Sequence, residues 1–200
     1  MNRRLDHLAA SQYDLVSAPL ERWILGPQRP WIASRSSGEV LEVGVGTGAN
    51  FPHYAGDVRL TALELSPGML AQAKAKAETL GLDVRFIEGD AQELPFEEAT
   101  FDTVVSTFAL CGIPDNRLAI AEMVRVLRPG GSLVLADHVV STVAPVRWAQ
   151  RALETITIRT NGEYFTRRQL PIAEEFGMRV VDSDRHQLGA IERLHAVKPG

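Results

Sequence analysis

Three glycines, Gly44, Gly46 and Gly48, stand at alternate positions behind a short apolar run that carries one acid, Glu42. A backbone without side chains can approach a ligand closely, and glycine supplies the left-handed turn that takes a strand into a loop. Two ligand classes compete for such a loop. Gly44-x-Gly46-x-x-Ala49 satisfies the dinucleotide fingerprint, and Glu64, twenty residues past Gly44, stands where a ribose-binding acid belongs. A pyrophosphate is an anion that takes bare amide donors, however, and a carboxylate two residues before the loop suits a cationic ligand better. Outside the loop, side chains able to do chemistry are few. His138 follows the apolar run Leu133–Asp137, and because imidazole titrates near neutrality it is a candidate base or orienter. Cys111, the single cysteine, has no base adjoining it and reads as a small packing residue. The five histidines, at positions 7, 53, 138, 186 and 195, show no metal-ligand spacing, so no metal is expected.

These residues need a frame that brings them together. Val40–Gly44 is short, apolar and bounded by Ser36-Ser37-Gly38 and by glycine, as a buried strand is; Leu60–Leu65, Val84–Glu88, Phe101–Phe108 and Leu133–His138 read the same way. Between the second and third of these, Ser66-Pro67 offers a capping hydroxyl and a proline at the first helical position. Leu70, Ala73, Ala77 and Leu80 then follow at helical spacing, and Gly81 ends the run. Leu118–Leu127 is expected to be a helix closed by a structural turn at Arg128-Pro-Gly-Gly131. Helices over Val146–Ile158 and Thr166–Phe176 and strands over Arg179–Asp184 and Ile191–Val197 complete the pattern, the last two strands being close enough to pair antiparallel at an edge. This succession predicts an α/β fold: a Rossmann-like, mostly parallel seven-stranded sheet with helices on both faces and an antiparallel edge strand. In such a sheet ligands bind beyond the carboxyl ends of the strands, where the glycine loop, Glu64 and His138 all fall.

Composition narrows the function classes. The chain has 200 residues, and with no repeat, low-complexity tract or linker it is expected to form one domain over 1–200. Its 21 Lys and Arg against 25 Asp and Glu give a net charge of −4, leaving no general basic field for a phosphate backbone, so a nucleic-acid partner is not expected. No apolar run approaches the length of a membrane span, and Met1–Ala10 lacks the apolar core of a secretory signal. A cytoplasmic location is expected. Nothing in the composition bears on the oligomeric state. Tyr13–Ile32 holds spaced apolar residues broken by Pro19 and Gly26-Pro27, which suggests two short helices before the first strand.

At this point the sequence matches a known pattern. Leu41–Asn50, LEVGVGTGAN, resembles the first motif of class I S-adenosylmethionine-dependent methyltransferases, in which an acid two residues before the glycines lies by the amino-acid end of the ligand. Glu64 closes the second strand as the ribose-binding acid of that family does. Gly89-Asp90-Ala91-Gln92-Glu93-Leu94-Pro95 is similar to the third-strand loop whose aspartate meets the adenine amino group, and Arg125–Gly131 is similar to the turn before strand five. The resemblance spans roughly residues 10 to 140 in four ordered motifs, more specific together than any one alone. It implies S-adenosylmethionine as cofactor and S-adenosylhomocysteine as product. It also implies a cofactor site drawn from Glu42, Gly44, Gly46, Gly48, Asn50, Glu64, Leu65, Met69, Asp90, Ala91, Gln92 and Thr107.

The acceptor is less determined. The resemblance puts substrate selection at the end of the fourth strand, which reads Ser106-Thr-Phe-Ala-Leu-Cys-Gly112 and lacks the Asn/Asp-Pro-Pro-aromatic motif of enzymes that methylate adenine or glutamine nitrogens. Val43–Phe51, Ser106–Cys111, Asp137–Val139 and Asn161-Gly162–Thr166-Arg167 are similar to a branch that holds thiol methyltransferases and phospholipid N-methyltransferases, with quinone-biosynthesis enzymes more distant. A small, largely apolar acceptor with a thiol, amine or hydroxyl is therefore expected, phosphatidylethanolamine being one alternative, and any membrane contact would be peripheral. His138, at the expected top of the fifth strand, is the catalytic candidate read from the residues; Tyr13 resembles in position the tyrosine of a Tyr-Asp pair in related small-molecule methyltransferases and is the second, and residues 1–32 are expected to form an amino-terminal helical lid. Trp23, Trp31 and Trp148 are expected either to line an apolar pocket or to belong to the core. A nicotinamide-dependent oxidoreductase and a non-catalytic cofactor-binding subunit are the alternatives of other classes.

Overall fold

The computed structural model describes residues 26–160 and 162–200. Seven strands form one sheet: β1 Glu39–Val43, β2 Arg59–Glu64, β3 Val84–Glu88, β4 Phe101–Thr107, β5 Leu127–His138, β6 Arg179–His186 and β7 Ile191–Val197. Their order across the sheet is β3-β2-β1-β4-β5-β7-β6. The chain therefore reverses its direction of growth between β1 and β4, and a crevice opens there at the carboxyl ends of the strands. All pairs among β3, β2, β1, β4 and β5 are parallel, whereas β7 runs antiparallel to both β5 and β6. The reversed strand thus lies one in from the edge and β6 is the edge itself, because the short Gln187–Ala190 turn folds β7 back beside β6 and into the gap next to β5.

Alternate residues of the central strands feed two cores. Leu41, Val43, Leu63, Val104, Leu133 and Leu135 pack on one face against helix Asn116–Val126, while Val40, Ala62, Val105, Val134 and Ala136 pack on the other against helix Pro67–Leu80. Burial on both faces is why these strands read as continuous apolar runs. We number the helices α1 Gln28–Ala33, α2 Pro67–Leu80, α3 Asn116–Val126, α4 Ala144–Thr160 and α5 Leu170–Glu175. Helix α2 starts and stops where its signals lie: Ser66 Oγ accepts from the Met69 amide at 3.4 Å, and Gly81 takes the left-handed conformation at φ 66°. Helix α3 begins two residues before the expected start because Asp115 caps it by accepting from the Leu118 amide.

Three local expectations change. Strand β5 begins at Leu127, directly after α3, so Arg128-Pro-Gly-Gly131 is not a free turn. It bulges from the ladder between the pairs Phe101–Leu127 and Thr103–Ser132, and Gly130 and Gly131 exchange hydrogen bonds with Lys198. Helix α5 begins at Leu170 and not at Thr166. Pro171 belongs in the first turn of a helix and not in its interior, and the segment before it is tied down separately: the Glu154 carboxylate accepts from the amides of Phe165 and Thr166 at 2.7 Å each, and Arg167 reaches the carbonyls of Ile113 and Pro114. Of the amino-terminal segment, only its last residues lie within the described part. There α1 is built into the body, with Ile32 fully buried in the second core.

Candidate active site

The three loop glycines do three different things. Gly44, at φ 70°, would place a Cβ 2.4 Å from the Ala109 Cβ, so it is glycine because the loops after β1 and β4 touch there. Gly48, at φ 75°, would drive a Cβ into the Phe51 ring at 2.5 Å. Gly46 also has a left-handed backbone, φ 57°, but a Cβ on it would meet no described atom within 4 Å. Protein packing accounts for the first and third glycines; the middle one faces open space at the switch point, where a ligand comes nearest the backbone.

Glu64, the last residue of β2, accepts from the Gly46 amide through Oε2 and from the Ser66 amide through Oε1, both at 2.9 Å. Each oxygen carries one protein donor, so lone pairs remain for two hydroxyl groups. Asp90, just past β3, accepts from the Gln92 amide at 2.9 Å and from Gln92 Nε2 at 3.0 and 3.1 Å, while Gln92 Oε1 accepts from the Asp115 amide. That turn holds Asp90, Ala91 and Gln92 against the loop after β4; Ala91 itself is buried, Leu65 is exposed, and Met69 sits in the first turn of α2.

Glu42 is fully inside. Its Oε1 accepts from Asn50 Nδ2 and its Oε2 from the Tyr54 hydroxyl, each at 2.9 Å; Asn50 also donates to Thr107 Oγ1 and accepts from Arg29. Burial raises the Glu42 carboxyl to about 7, against the pull of Tyr54, Arg29 and Asn50. Both Glu42 oxygens are thus committed to neighbours, and through Asn50 the acid is linked to Thr107 and Arg29.

The far side of the crevice is aromatic. His138, at the end of β5, lies between Phe108, with ring centroids 5.0 Å apart, and Phe165, at 5.5 Å. Phe108 has a positive φ of 53°, unusual for a bulky residue and found where the surroundings fix it. His138 Nδ1 is buried and makes no hydrogen bond among the described residues, with Asp137 Oδ1 3.9 Å away, and burial lowers the imidazole to about 4, so it is neutral at physiological pH. Asp137 beside it is buried and accepts from the amides of Cys111 and His138; burial raises its carboxyl to about 7. Burial likewise pushes the Cys111 thiol well up, which agrees with a packing role. Tyr13 lies outside the described residues.

A family model described as a methyltransferase domain matches residues 41–135. A phosphatidylethanolamine N-methyltransferase of Cereibacter sphaeroides is 36% identical over 156 residues, covering 71% of this chain and 77% of that protein. The chain belongs to the S-adenosylmethionine-dependent methyltransferases. A demethylmenaquinone methyltransferase of Renibacterium salmoninarum is 33% identical over 180 residues, covering 80% and 73% of the two chains. The crystal structure of a SAM-dependent methyltransferase from Aquifex aeolicus superposes with a TM-score of 0.66 at 18% identity, covering 94% of this chain and 97% of that one, a likeness of fold.

Membership decides between the two ligand classes: the cofactor of this methyltransferase is S-adenosylmethionine. The residues fit it. Gly46 leaves room beside a bare backbone, and Glu64 keeps acceptor capacity at the end of β2. Sequence reasoning missed several residues of the methyltransferase's crevice. Arg29 and Tyr54 secure the Glu42–Asn50 pair, and Phe108 and Phe165 enclose His138. Neither pair has a local signal, because each acts across a distance in sequence that only the fold closes. Of the tryptophans, Trp31 packs against the second core as expected, while Trp148 departs from expectation. Trp31 is half-buried under Arg35, whose guanidinium carbon is 4.1 Å from the ring, Trp148 is 67% exposed, and Trp23 is outside the described residues.

Proposed function

We propose that this methyltransferase alkylates a small acceptor with an apolar body, and that the accepting atom is the amine nitrogen of an aminolipid head group of the phosphatidylethanolamine type. The observation that carries the reading is the neutral His138 with its unpartnered Nδ1 set between two phenylalanine rings. S-adenosylmethionine supplies a methyl group already activated by a positive sulfur, so the protein's task is to hold a desolvated nucleophile in line with it. An ammonium entering an apolar recess is disfavoured relative to the neutral amine and gives its proton to solvent. His138 Nδ1 then accepts an N–H bond from the amine and orients its lone pair. Methyl transfer to that nitrogen would leave S-adenosylhomocysteine and a methylated ammonium that carries the positive charge.

A hydroxyl acceptor fits less well, since it needs a base, and at neutral pH the imidazole is held far below the range in which it takes a proton readily. A thiol is the second reading, because it ionises near neutrality without help. The 36% identity to a phosphatidylethanolamine N-methyltransferase supports the amine.

On the cofactor side we assign the ribose hydroxyls to Glu64, the adenine amine to Asp90, and the flanks of the adenosine to Leu65, Met69, Ala91 and Gln92. Gly44, Gly46 and Gly48 shape the loop, while Asn50 and Thr107, held from beneath by Glu42, face the amino-acid end. We keep the amino-terminal residues, Tyr13 included, as a cover for the crevice. Because Arg29 and Ile32 belong to the body, the truncation that tests this cover stops at residue 25: it should retain S-adenosylhomocysteine binding and lose methyl transfer at least tenfold. The acceptor is tested by supplying S-adenosylmethionine with a labelled methyl group to phosphatidylethanolamine, a small thiol and a phenol. Label on the lipid nitrogen supports the proposal, and label on the thiol or phenol alone refutes it.

A further inference from the structure

Helix α4 is built the wrong way round for a helix covering a core. Its polar residues attach it to the body. Gln150 donates to the carbonyls of Val139 and Phe165 and accepts from the Ser141 amide, Glu154 holds the amides of Phe165 and Thr166, and Thr157 donates to the Glu163 carbonyl. Its apolar residues face outward, and none of its residues is buried. Trp148, Ala149, Ala152, Leu153 and Ile156 recur at spacings of three and four and so form one stripe. In that stripe Trp148 is 67% exposed, Ile156 60% and Leu153 49%.

From this we infer that the α4 stripe docks on an anionic lipid bilayer, with the arginines of the helix at the phosphate level. Arg147, Arg151 and Arg159 are its basic residues and Glu154 its one acid, three positive charges less one negative, for a local +2 on a chain whose net charge is −4. Glu154 is turned inward onto the loop and Arg147 onto the Ser141 carbonyl, so the outward side carries Arg151 and Arg159 without carboxylate. A stripe of tryptophan and aliphatic residues flanked by arginines is the pattern of a helix lying in the bilayer interface, where the ring sits at head-group depth and long basic stems reach the phosphates. A second copy of the chain fits the face less well, because a two-fold contact would set arginines against arginines. Among the described residues no helix is long and apolar enough to cross a membrane, so docking lies along the surface. The same helix fixes the Phe165 backbone, whose ring is 5.5 Å from His138, so a bilayer at α4 would bring lipid head groups to the acceptor side of the crevice. The inference deepens the aminolipid proposal, yet it is read without turnover, so either can fail alone.

The test is co-sedimentation of the whole chain with vesicles of phosphatidylethanolamine and phosphatidylglycerol, against vesicles of phosphatidylcholine. Wild type should partition onto the anionic vesicles and bind the neutral ones at least about tenfold more weakly. W148E/L153E/I156E should abolish recovery, and R151E/R159E should reduce it about tenfold or more. Both variants should bind S-adenosylhomocysteine like wild type, which shows that they are folded. Wild type left in the supernatant, or variants recovered as well as wild type, would overturn the inference. So would a wild-type dimer that W148E/L153E/I156E converts to monomer, since it would give the face to a second copy.

Discussion

At the ends of β1, β2 and β3 the acids are all hydrogen-bonded within the protein: Glu42 to Asn50 and Tyr54, Glu64 to the amides of Gly46 and Ser66, Asp90 to the amide of Gln92. Past the ends of β4 and β5 the acceptor side is mainly packed: Phe108 and Phe165 close on His138, whose Nδ1 makes no hydrogen bond among the described residues. The first arrangement is rigid before any ligand arrives, as suits a cofactor shared by a whole family. The second leaves an acceptor atom unused in an apolar recess, as suits a variable substrate. The two halves meet at Gly44 and Ala109, where no side chain fits between the loops.

The largest expected effect is therefore at that junction. Gly44→Ala combines a left-handed backbone with a Cβ 2.4 Å from that of Ala109, and should destabilise the fold by about 3 kcal/mol and weaken S-adenosylhomocysteine ~100-fold. Adding Ala109→Gly should recover the steric part only. Urea unfolding and calorimetry read both, and a neutral Gly44→Ala would separate the halves.

Next comes Glu42, the one acid buried beneath the cofactor half. Its carboxyl is raised from 4.5 to about 7 by burial, so its contribution to stability is full below pH 4.5 and is lost as pH rises through about 7. The wild type should accordingly fall relative to Glu42→Gln by roughly 2–3 kcal/mol between pH 4.5 and 7.5. Asp137 titrates with the same sign, and His138 with the opposite one, since its lowered value costs stability as pH falls from 6.5 toward 4. Taking the difference between wild type and Glu42→Gln removes both. Parallel denaturation curves across that range would mean that the acid is ionised in the fold.

Glu64→Ala should weaken S-adenosylhomocysteine about 10–100-fold, because it removes charge-assisted bonds of roughly 1.5–3 kcal/mol and frees the Gly46 amide. Unchanged affinity in a folded variant would sink the ribose assignment. The smallest effect belongs to Asp90. Asp90→Asn keeps an acceptor for Gln92 and should cost about threefold, whereas Asp90→Leu should cost about tenfold or more. Equal losses from the two would leave Asp90 as a turn former only.

How far the sequence reveals this molecule follows the same division. Helix α2 can be read to the residue because Ser66, Pro67 and Gly81 are local signals, and the glycine loop can be read because positive φ demands glycine. The start of α5 is marked locally too, by Pro171 in its first turn, whereas the tie from the Thr166 amide to Glu154, twelve residues earlier, has no local signal. The outward stripe of α4 is hidden for a related reason: its periodicity says that the helix is amphipathic but not which side the body takes. Arg29, Tyr54 and Phe165 enter the crevice through contacts that exist only once the sheet has assembled.

The most direct test of the central claim joins the halves in one experiment: transfer of a labelled methyl group to phosphatidylethanolamine by wild type and His138→Ala, alongside S-adenosylhomocysteine affinity and the pH dependence of kcat/KM. Label is expected on the lipid nitrogen, with an unchanged cofactor affinity and a loss of turnover of about 10–100-fold in His138→Ala. The rate should climb with pH toward the amine's own titration, with no inflection near 6.5. Wild-type turnover by His138→Ala, or methylation confined to a thiol or phenol, would contradict it.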